Sequence, residues 1–191
     1  MRCQACMEEN FKPLFEKEGL RLNRCLNCGL VQTDNLEENF DIRHYDYYKD
    51  RLNRTQDSLY HSITTRRYVN LLKRLEKYRK TGFLLDIGCG EGHFLSVAKT
   101  MDWQIKGIEL APYAVDICRK FGINAECAEF LESEADRRSY DIITMFEVME
   151  HLVQPKEYLL KTNSLLRKGG ILIITTPNFD KLAESGVRFT N

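Results

Sequence analysis

The sequence has no excess of charge of either sign, because 28 Lys and Arg residues balance 28 Asp and Glu residues. This balance removes the basic surface that non-specific nucleic-acid binding requires, so we expect no nucleic-acid partner. Long apolar runs are also missing: the longest, over residues 171–174, is far shorter than the ~20 residues of a transmembrane helix. We therefore expect no membrane span.

A secretory signal and a closed set of disulfides are not expected either. The first ten residues carry a single Arg with no apolar stretch behind it. Seven cysteines is an odd number, which does not suit complete disulfide pairing. Both observations predict a cytoplasmic protein with reduced thiols. No repeats are present, and 191 residues with 43% hydrophobic side chains suit one packed domain with a small satellite.

Four of the cysteines form two Cys-x-x-Cys pairs near the start of the chain. Cys3 and Cys6 precede a predicted hairpin over 11–24, and Cys25 and Cys28 follow it. Two such turns can place four thiolates around one ion, with Zn–S distances near 2.3 Å. Four thiolates leave no open coordination position, so we predict a structural zinc site, with iron as an alternative. Redox pairs and chance spacing are the competing interpretations of these cysteines.

From residue 83 onward, short apolar strands alternate with helical segments. Predicted strands cover 83–87, 104–108, 123–128, 140–146 and 171–176, and predicted helices cover 57–80, 94–101, 112–121 and 155–168. The last helix is expected to stop at the glycine pair 169–170. This alternation predicts an α/β fold with a Rossmann-like, doubly wound, mostly parallel sheet of about five strands.

These patterns divide the chain into three parts. Residues 1–34 are predicted to form a zinc ribbon, 35–80 a connector with a helix, and 81–191 a Rossmann-like domain. The connector carries Tyr45, Tyr47 and Tyr48, which either form a lid near a substrate or pack the connector onto the main domain. The basic residues of the helix are interpreted as a solvated face, with anion binding as the minority view.

The strand at 83–87 runs directly into the glycine-rich turn GCGEG and then into a helix. Glycines at such a turn let the backbone approach a ligand closely, and the helix N-terminus offers free N–H groups. Asp86 precedes the turn, where it would repel a phosphate and attract a cation. Glu109 ends the next strand, 21 residues after Gly88, where an acid meets ribose hydroxyls. The pattern favours a cationic adenosine ligand, and the missing GxGxxG spacing disfavours a nicotinamide-dependent oxidoreductase.

In combination, these motifs resemble the class I S-adenosylmethionine-dependent methyltransferases. LLDIGCGEG resembles that family's first motif, the acid of IKGIEL its second, and DIITMFEVMEHL the fourth-strand motif of the branch acting on small molecules, lipids and sugars. The resemblance covers about residues 81–177, and a zinc-binding segment ahead of such a domain is similar to sugar C-methyltransferases and bacterial polysaccharide-pathway enzymes. It implies a methyltransferase with a small-molecule acceptor, such as a nucleotide sugar or another polysaccharide or lipid precursor. The alternative is a non-catalytic binding or docking module with a structural zinc ribbon.

The resemblance implies a set of residues that bind S-adenosylmethionine at the carboxyl ends of the strands. They are Asp86, Gly88, Cys89, Gly90, Glu109, Leu110, Ala128, Glu129, Phe130 and Phe146. The turn residues would hold the methionine part, although the Cys89 thiol is interpreted as packing. Glu109 would bind the ribose hydroxyls, Leu110 would line the adenine, and the segment 128–130 would meet the adenine edge. Glu129 stands where the family often has Asp.

Methyl transfer from a sulfonium is an in-line displacement, so the acceptor must be held close and on axis. A hydroxyl or carbon-acid acceptor also needs a general base. His151 has a suitable intrinsic pKa and lies close in sequence to Glu147, which would face the cofactor and the acceptor with Phe146. The competing interpretation is that His151 only fixes its loop through a hydrogen bond.

The family's sheet normally ends in a two-strand hairpin. Only 15 residues follow Thr176, so we expect this hairpin to be missing: either the sequence is cut short, or this is a reduced form that completes its sheet through a partner. The resulting open sheet edge would favour a homo-oligomer.

Overall fold

The computed structural model describes residues 1–17, 19–34, 58–135 and 139–180. The predicted connector over 35–57, with its tyrosines Tyr45, Tyr47 and Tyr48, lies outside the described residues. Within the described ranges, no helix combines the length and the apolar character that crossing a membrane requires.

The N-terminal segment forms a small antiparallel sheet of three strands. The strands β1 (Phe11–Lys17), β2 (Leu20–Cys25) and β3 (Val31–Thr33) lie in the order β1-β2-β3. The predicted hairpin is therefore confirmed, with Gly19 in its turn at a φ of 81°. Strand β3 was not predicted, because three residues are too few to show an alternating pattern.

The rest of the described chain forms a parallel sheet with helices between its strands. The strands are β4 (Phe83–Ile87), β5 (Gln104–Glu109), β6 (Ala125–Cys127), β7 (Tyr140–Phe146) and β8 (Leu166–Thr175). The helices are α1 (Ser58–Leu75), α2 (His93–Thr100), α3 (Pro112–Lys120) and α4 (Pro155–Leu165). The predicted Rossmann-like fold with five strands is thus confirmed.

The strand order β6-β5-β4-β7-β8 places β4 at the centre of the sheet. The chain first winds outward from β4 to β6, then crosses to the other side of β4 for β7 and β8. Ligands of such sheets bind beyond the carboxyl ends of the strands, where the winding reverses. The topology therefore points to the carboxyl ends of β4 and β7.

Side chains of the central strands alternate between two apolar clusters. Leu84 and Ile142 belong to the cluster that includes residues of α1 and α2. Leu85 and Ile143 belong to the opposite cluster, which includes Tyr158 of α4. Burial on both faces explains why β4 and β7 read as continuous apolar runs.

The predicted end of the last helix is wrong. Helix α4 ends at Leu165, and the glycine pair 169–170 lies inside β8. A Cβ on Gly170 would lie 2.8 Å from the carbonyl oxygen of Tyr140, so only glycine lets β8 approach β7 there. The register between these strands shifts at the same place, between Tyr140 and Ile142. The glycines serve strand pairing, which depends on a residue far away in sequence.

Asp141, at the opposite end of β7 from the predicted site, fixes the central strands to their neighbours. Its carboxylate accepts backbone N–H bonds from Lys80, Thr81 and Gly82 at 2.8, 2.8 and 2.7 Å, and it pairs with Arg167. Burial would raise the pKa of this carboxyl, but these donors hold it below its usual value. The first acid of the fourth-strand motif is therefore structural.

Candidate functional site

The glycine turn after β4 is built by backbone contacts with β5. The N–H groups of Gly88 and Cys89 donate to the carbonyl of Ile108 at 2.8 and 3.2 Å. Gly88 and Gly90 have φ values of 71° and 52°, in the left-handed region that favours glycine. A Cβ on Gly88 would lie 2.5 Å from Cγ2 of Val148, whereas a Cβ on Gly90 would meet nothing within 4 Å. Gly88 is thus required by packing, and Gly90 borders open space.

Cys89 lies beneath this turn. Its Sγ is 2.6 Å from where a Cβ on Gly107 would stand, so glycine in β5 makes room for the thiol. The Sγ atoms of Cys89 and Cys118 lie 3.7 and 3.3 Å from the carbonyl oxygen of Gly90. The hydrogen bond with Cys118 and burial raise the pKa of Cys89. A protonated, buried thiol is a packing group and no nucleophile.

Glu109 is held directly beside the turn. One carboxylate oxygen accepts the Gly90 N–H at 2.9 Å, and the other accepts the Ala111 N–H at 3.0 Å. The two bonds fix the acid at the boundary between the carboxyl ends of β4 and β5. Leu110, next in the chain, is exposed there.

Asp86 is a buried carboxyl, with only 3% of its surface exposed. Thr144 in β7 donates its hydroxyl to Oδ1 of Asp86 at 2.6 Å. Burial raises the pKa of Asp86 to about 7, the Thr144 bond opposes this, and the charge of Glu109 adds to it. Among the described residues, no basic side chain forms an ion pair with Asp86. The turn therefore combines open backbone with two acids, which suits a cation and repels a phosphate.

The segment after β6 divides between the rim and the core. The Ala128 N–H donates to the Glu109 carbonyl at 3.2 Å, which places Ala128 beside the predicted ribose acid. Glu129 accepts from the Tyr158 hydroxyl and from the Leu131 N–H. Phe130 is 2% exposed, and its ring packs on Tyr158 with centroids 5.1 Å apart. Phe130 can therefore reach a ligand only through its backbone.

The loop after β7 carries the predicted catalytic residues. Phe146 is half-buried, while Glu147 and His151 are exposed. Glu147 has a φ of 54°, an unfavourable conformation for a residue with a Cβ, and its N–H donates to the Thr175 carbonyl at 3.0 Å. Such strain is frequent in functional loops. Through Val148, the loop packs directly on Gly88.

A cluster of rings beside Phe146 was missed by the sequence analysis. The rings of His61 and His93 stack with centroids 4.1 Å apart, and Tyr68 contacts both His93 and Phe146, at 5.2 and 6.0 Å. The Thr65 hydroxyl donates to the His61 carbonyl at 2.8 Å, so it accepts from Nε2 of His93 at 2.9 Å. In neutral His93 this leaves Nδ1 without a proton. Burial and the nearby His61 lower the pKa of His93.

The four N-terminal cysteines converge as predicted. The Sγ atoms of Cys3 and Cys28 are 3.5 Å apart, as are those of Cys6 and Cys25, and all four lie within 4.8 Å of one another. Disulfide sulfurs would be about 2 Å apart, whereas thiolates around one zinc ion would be separated by about 3.8 Å. The four thiols are free, and their arrangement fits a tetrahedral metal site.

The backbone around these cysteines favours metal ligation. Burial disfavours the Cys3 thiolate, but N–H groups of Cys6 and Ala5, together with the thiols of Cys28 and Cys6, lower the Cys3 pKa to about 7. The Glu8 N–H favours the Cys6 thiolate, but burial and the neighbouring sulfur atoms raise the Cys6 pKa to about 12. A divalent cation at their common centre would offset the repulsion between neighbouring thiolates.

The two Cys-x-x-Cys turns have the same backbone geometry. The Met7 N–H donates to the Cys3 carbonyl at 2.9 Å, and the Gly29 N–H donates to the Cys25 carbonyl at 2.9 Å. Met7 and Gly29 also share the left-handed conformation, with φ values of 67° and 81°. Met7 is therefore strained in this conformation, whereas its equivalent Gly29 has no Cβ and adopts it without strain.

A family model for a methyltransferase domain matches residues 60–190. The chain is similar to two ubiquinone biosynthesis O-methyltransferases. The one from Coxiella burnetii is 26% identical over 101 residues, and the one from Xanthomonas campestris pv. campestris is 30% identical over 103 residues. Each match covers 50% of this chain and 43% of the relative, so the chain spans less than half the length of these curated proteins.

Solved structures share the fold. The chain is similar to CalS10, an amino pentose methyltransferase from Micromonospora echinaspora solved with bound SAM. The TM-score is 0.57, with 21% identity over 71% of this chain and 58% of that one. It is also similar to a protein from Pyrococcus horikoshii OT3, with a TM-score of 0.66 and 15% identity over 76% of this chain and 72% of that one.

Proposed function

Because the chain belongs to the methyltransferase-domain family, we propose that it is an S-adenosylmethionine-dependent methyltransferase with a small-molecule acceptor. The observation that carries the proposal is the glycine turn between two carboxylates. Asp86 is buried without a basic partner among the described residues, Glu109 is fixed beside Gly90, and the space at Gly90 is open. A positively charged ligand without a phosphate meets the requirements of this turn.

In this proposal each group of predicted residues binds a different part of the cofactor. Asp86, Gly88 and Gly90 hold its amino-acid end, and Glu109 accepts hydrogen bonds from its ribose. Leu110, Ala128 and Glu129 border the adenine, Phe130 contributes its backbone, and Cys89 only supports the turn. S-adenosylmethionine supplies the activated methyl group when bound. Phe146 and the loop behind it hold the acceptor in line with that group.

His151 is proposed as the general base for an acceptor that must lose a proton, with Glu147 beside it in the same loop. Both side chains are exposed at the carboxyl end of β7, as contact with an external acceptor requires. The His61–His93 stack is linked to Phe146 through Tyr68, whose ring contacts both His93 and Phe146. It provides a matched pair of imidazoles for testing the assignment of His151.

The cysteine module over residues 1–34 is proposed to be a structural zinc ribbon, with iron as the alternative. Residues 35–80 would then connect it to the cofactor domain over 81–191. Four converging thiols support the metal site. Thiolate coordination requires reduced cysteines, which is consistent with a cytoplasmic location.

The acceptor is proposed to be a nucleotide sugar or another polysaccharide or lipid precursor. The similarity to an amino pentose methyltransferase and to ubiquinone biosynthesis enzymes supports a small organic acceptor. We also propose that β8 mediates homo-oligomer formation. Among the described residues β8 is the edge strand, since it pairs only with β7, and its apolar stretch over 171–174 is only partly buried.

Calorimetry with S-adenosylmethionine, S-adenosylhomocysteine and NAD tests the cofactor assignment. Wild type should bind the first two and ignore NAD. Gly90→Ala should weaken binding at least tenfold, since its Cβ enters the open space. Gly19→Ala is the matched control: its φ of 81° also imposes left-handed strain and its Cβ would also meet nothing within 4 Å, but it lies in the turn between β1 and β2. Failure of both sulfur ligands to bind at millimolar concentration would refute the proposal.

Formation of S-adenosylhomocysteine with nucleotide sugars and with phenolic quinone precursors tests catalysis. His151→Asn should reduce turnover while leaving cofactor affinity unchanged. His93→Asn is the control: because it keeps the general base His151, its turnover should stay close to that of wild type. Cofactor binding without turnover of any acceptor would favour a non-catalytic binding module.

A further inference from the structure

Among the described residues, the side chain of Gln4 links the cysteine module to the loop after β7. Gln4, between the ligand positions Cys3 and Cys6, donates from Nε2 to the carbonyl oxygen of Val153 at 2.8 Å. The module makes a second contact through Arg24, whose guanidinium pairs with Asp180 at 2.5 Å beyond β8. Only the first of these two contacts involves the loop that carries the predicted catalytic residues.

The backbone of Gln4 is fixed from within the module. Its N–H donates to Oε1 of Gln32 at 3.1 Å, and Nε2 of Gln32 donates to the Arg2 carbonyl at 3.1 Å. Gln32 is only 7% exposed, so this amide bridge is buried. Since Gln4 also lies between two metal-ligand positions, its place depends on how the cysteines are held.

The loop transmits its position to the glycine turn. Val153 lies two residues after His151 and five after Val148. Val148 Cγ2 stands 2.5 Å from where a Cβ of Gly88 would be, so loop and turn are in close contact. The other end of the loop is tied to β8 by the Glu147 N–H. A hydrogen bond at Val153 therefore restrains a segment of seven residues, 147–153, that covers the turn.

We propose that Gln4 is a positioning residue that couples metal binding in the cysteine module to the conformation of loop 147–153. A metal ion fixes Cys3 and Cys6, and through them the amide of Gln4. Without the ion, the four thiols lose their common centre, and the Gln4–Val153 hydrogen bond loses its fixed donor. The catalytic meaning of this coupling rests on the proposed function, but the coupling itself does not.

Hydrogen–deuterium exchange of the backbone amides of 148–153 tests the coupling. The full chain is measured as wild type and as Gln4→Ala, each zinc-loaded and after chelation, with zinc content determined by elemental analysis. In the zinc-loaded state, Gln4→Ala should speed exchange about two- to tenfold, the equilibrium effect of one neutral hydrogen bond. Its zinc content should equal that of wild type, and its midpoint of thermal unfolding should fall by no more than the few degrees that one hydrogen bond contributes.

Chelation should speed exchange in wild type by up to the same factor, because it loosens the donor that Gln4→Ala removes, and it should add nothing in Gln4→Ala. Gln4→Glu keeps the size of the side chain but lacks the donor, and it should behave as Gln4→Ala. Leu26→Ala is the matched control, because Leu26 occupies the position of Gln4 in the second Cys-x-x-Cys turn and is 56% exposed.

Equal acceleration by chelation in wild type and Gln4→Ala would overturn the coupling, as would unchanged exchange in Gln4→Ala. Binding of S-adenosylhomocysteine is measured separately. Its failure would count against the proposed function, while the exchange data would still decide the coupling.

Discussion

Replacing Asp86 by Asn should weaken cofactor binding and, at alkaline pH, stabilise the protein without ligand. Asp86 is buried, and its pKa is raised from 3.8 to about 7. Because the folded pKa lies above the unfolded one, the charged form carries an energetic cost. That cost is absent below pH 4, grows between pH 4 and pH 7, and is constant above.

The size of the cost follows from the shift. About three pKa units correspond to about 4 kcal/mol at pH 8. Asn has nearly the same shape, and its side-chain oxygen can still accept the Thr144 hydroxyl. Asp86→Asn should therefore raise the free energy of unfolding at pH 8 by up to about 4 kcal/mol, with little change at pH 4. Urea denaturation at both pH values measures this difference.

Cofactor binding should show the opposite effect. A cation binds the ionised carboxylate, which is about 10% populated at pH 6 and about 90% at pH 8 for a pKa of about 7. Wild-type affinity for S-adenosylmethionine should therefore rise about ninefold between these pH values because of Asp86. The ligand's own titrations are common to both proteins, so the difference between wild type and Asp86→Asn isolates this contribution. Calorimetric pH profiles with the same slope in both would refute the electrostatic role of Asp86.

Three further outcomes are expected. Asp141→Asn should destabilise the protein by about 3 kcal/mol above pH 5, since it breaks the buried pair with Arg167. Urea unfolding measures this difference in the free energy of unfolding. The difference should shrink as the pH falls through the lowered pKa of Asp141. Met7→Gly should stabilise the zinc-loaded protein by about 1 kcal/mol through relief of its left-handed φ, and Gly29→Ala should destabilise it similarly; melting temperatures that move in the same direction would contradict the equivalence of the two turns. Chelation should lower the melting temperature of wild type, but not that of Cys25→Ser, in which the four-thiolate site is already broken.

Most of the sheet could be predicted because the patterns that mark its strands lie within the strands themselves. Strands β4 and β7 are apolar runs buried on both faces, and the glycine turn at 88–92 marks the end of β4. The end of α4 was wrong because Gly169 and Gly170 look like a helix stop in sequence. Their actual role is to let β8 approach Tyr140, and that contact is not encoded by neighbouring residues.

The difference between local patterns and long-range contacts also explains which parts of the site could be predicted from the sequence. The acids and glycines of the turn are readable because a strand, a turn and a helix follow one another within ten residues. The Thr65–His93 bond and the Gln4–Val153 bond join residues 28 and 149 positions apart. The sequence around these residues does not indicate their partners. A histidine on a helix or a glutamine between two cysteines can equally well be an ordinary surface residue. Where chemistry depends on such distant pairs, only the folded chain identifies them, and variants such as Gln4→Ala become interpretable.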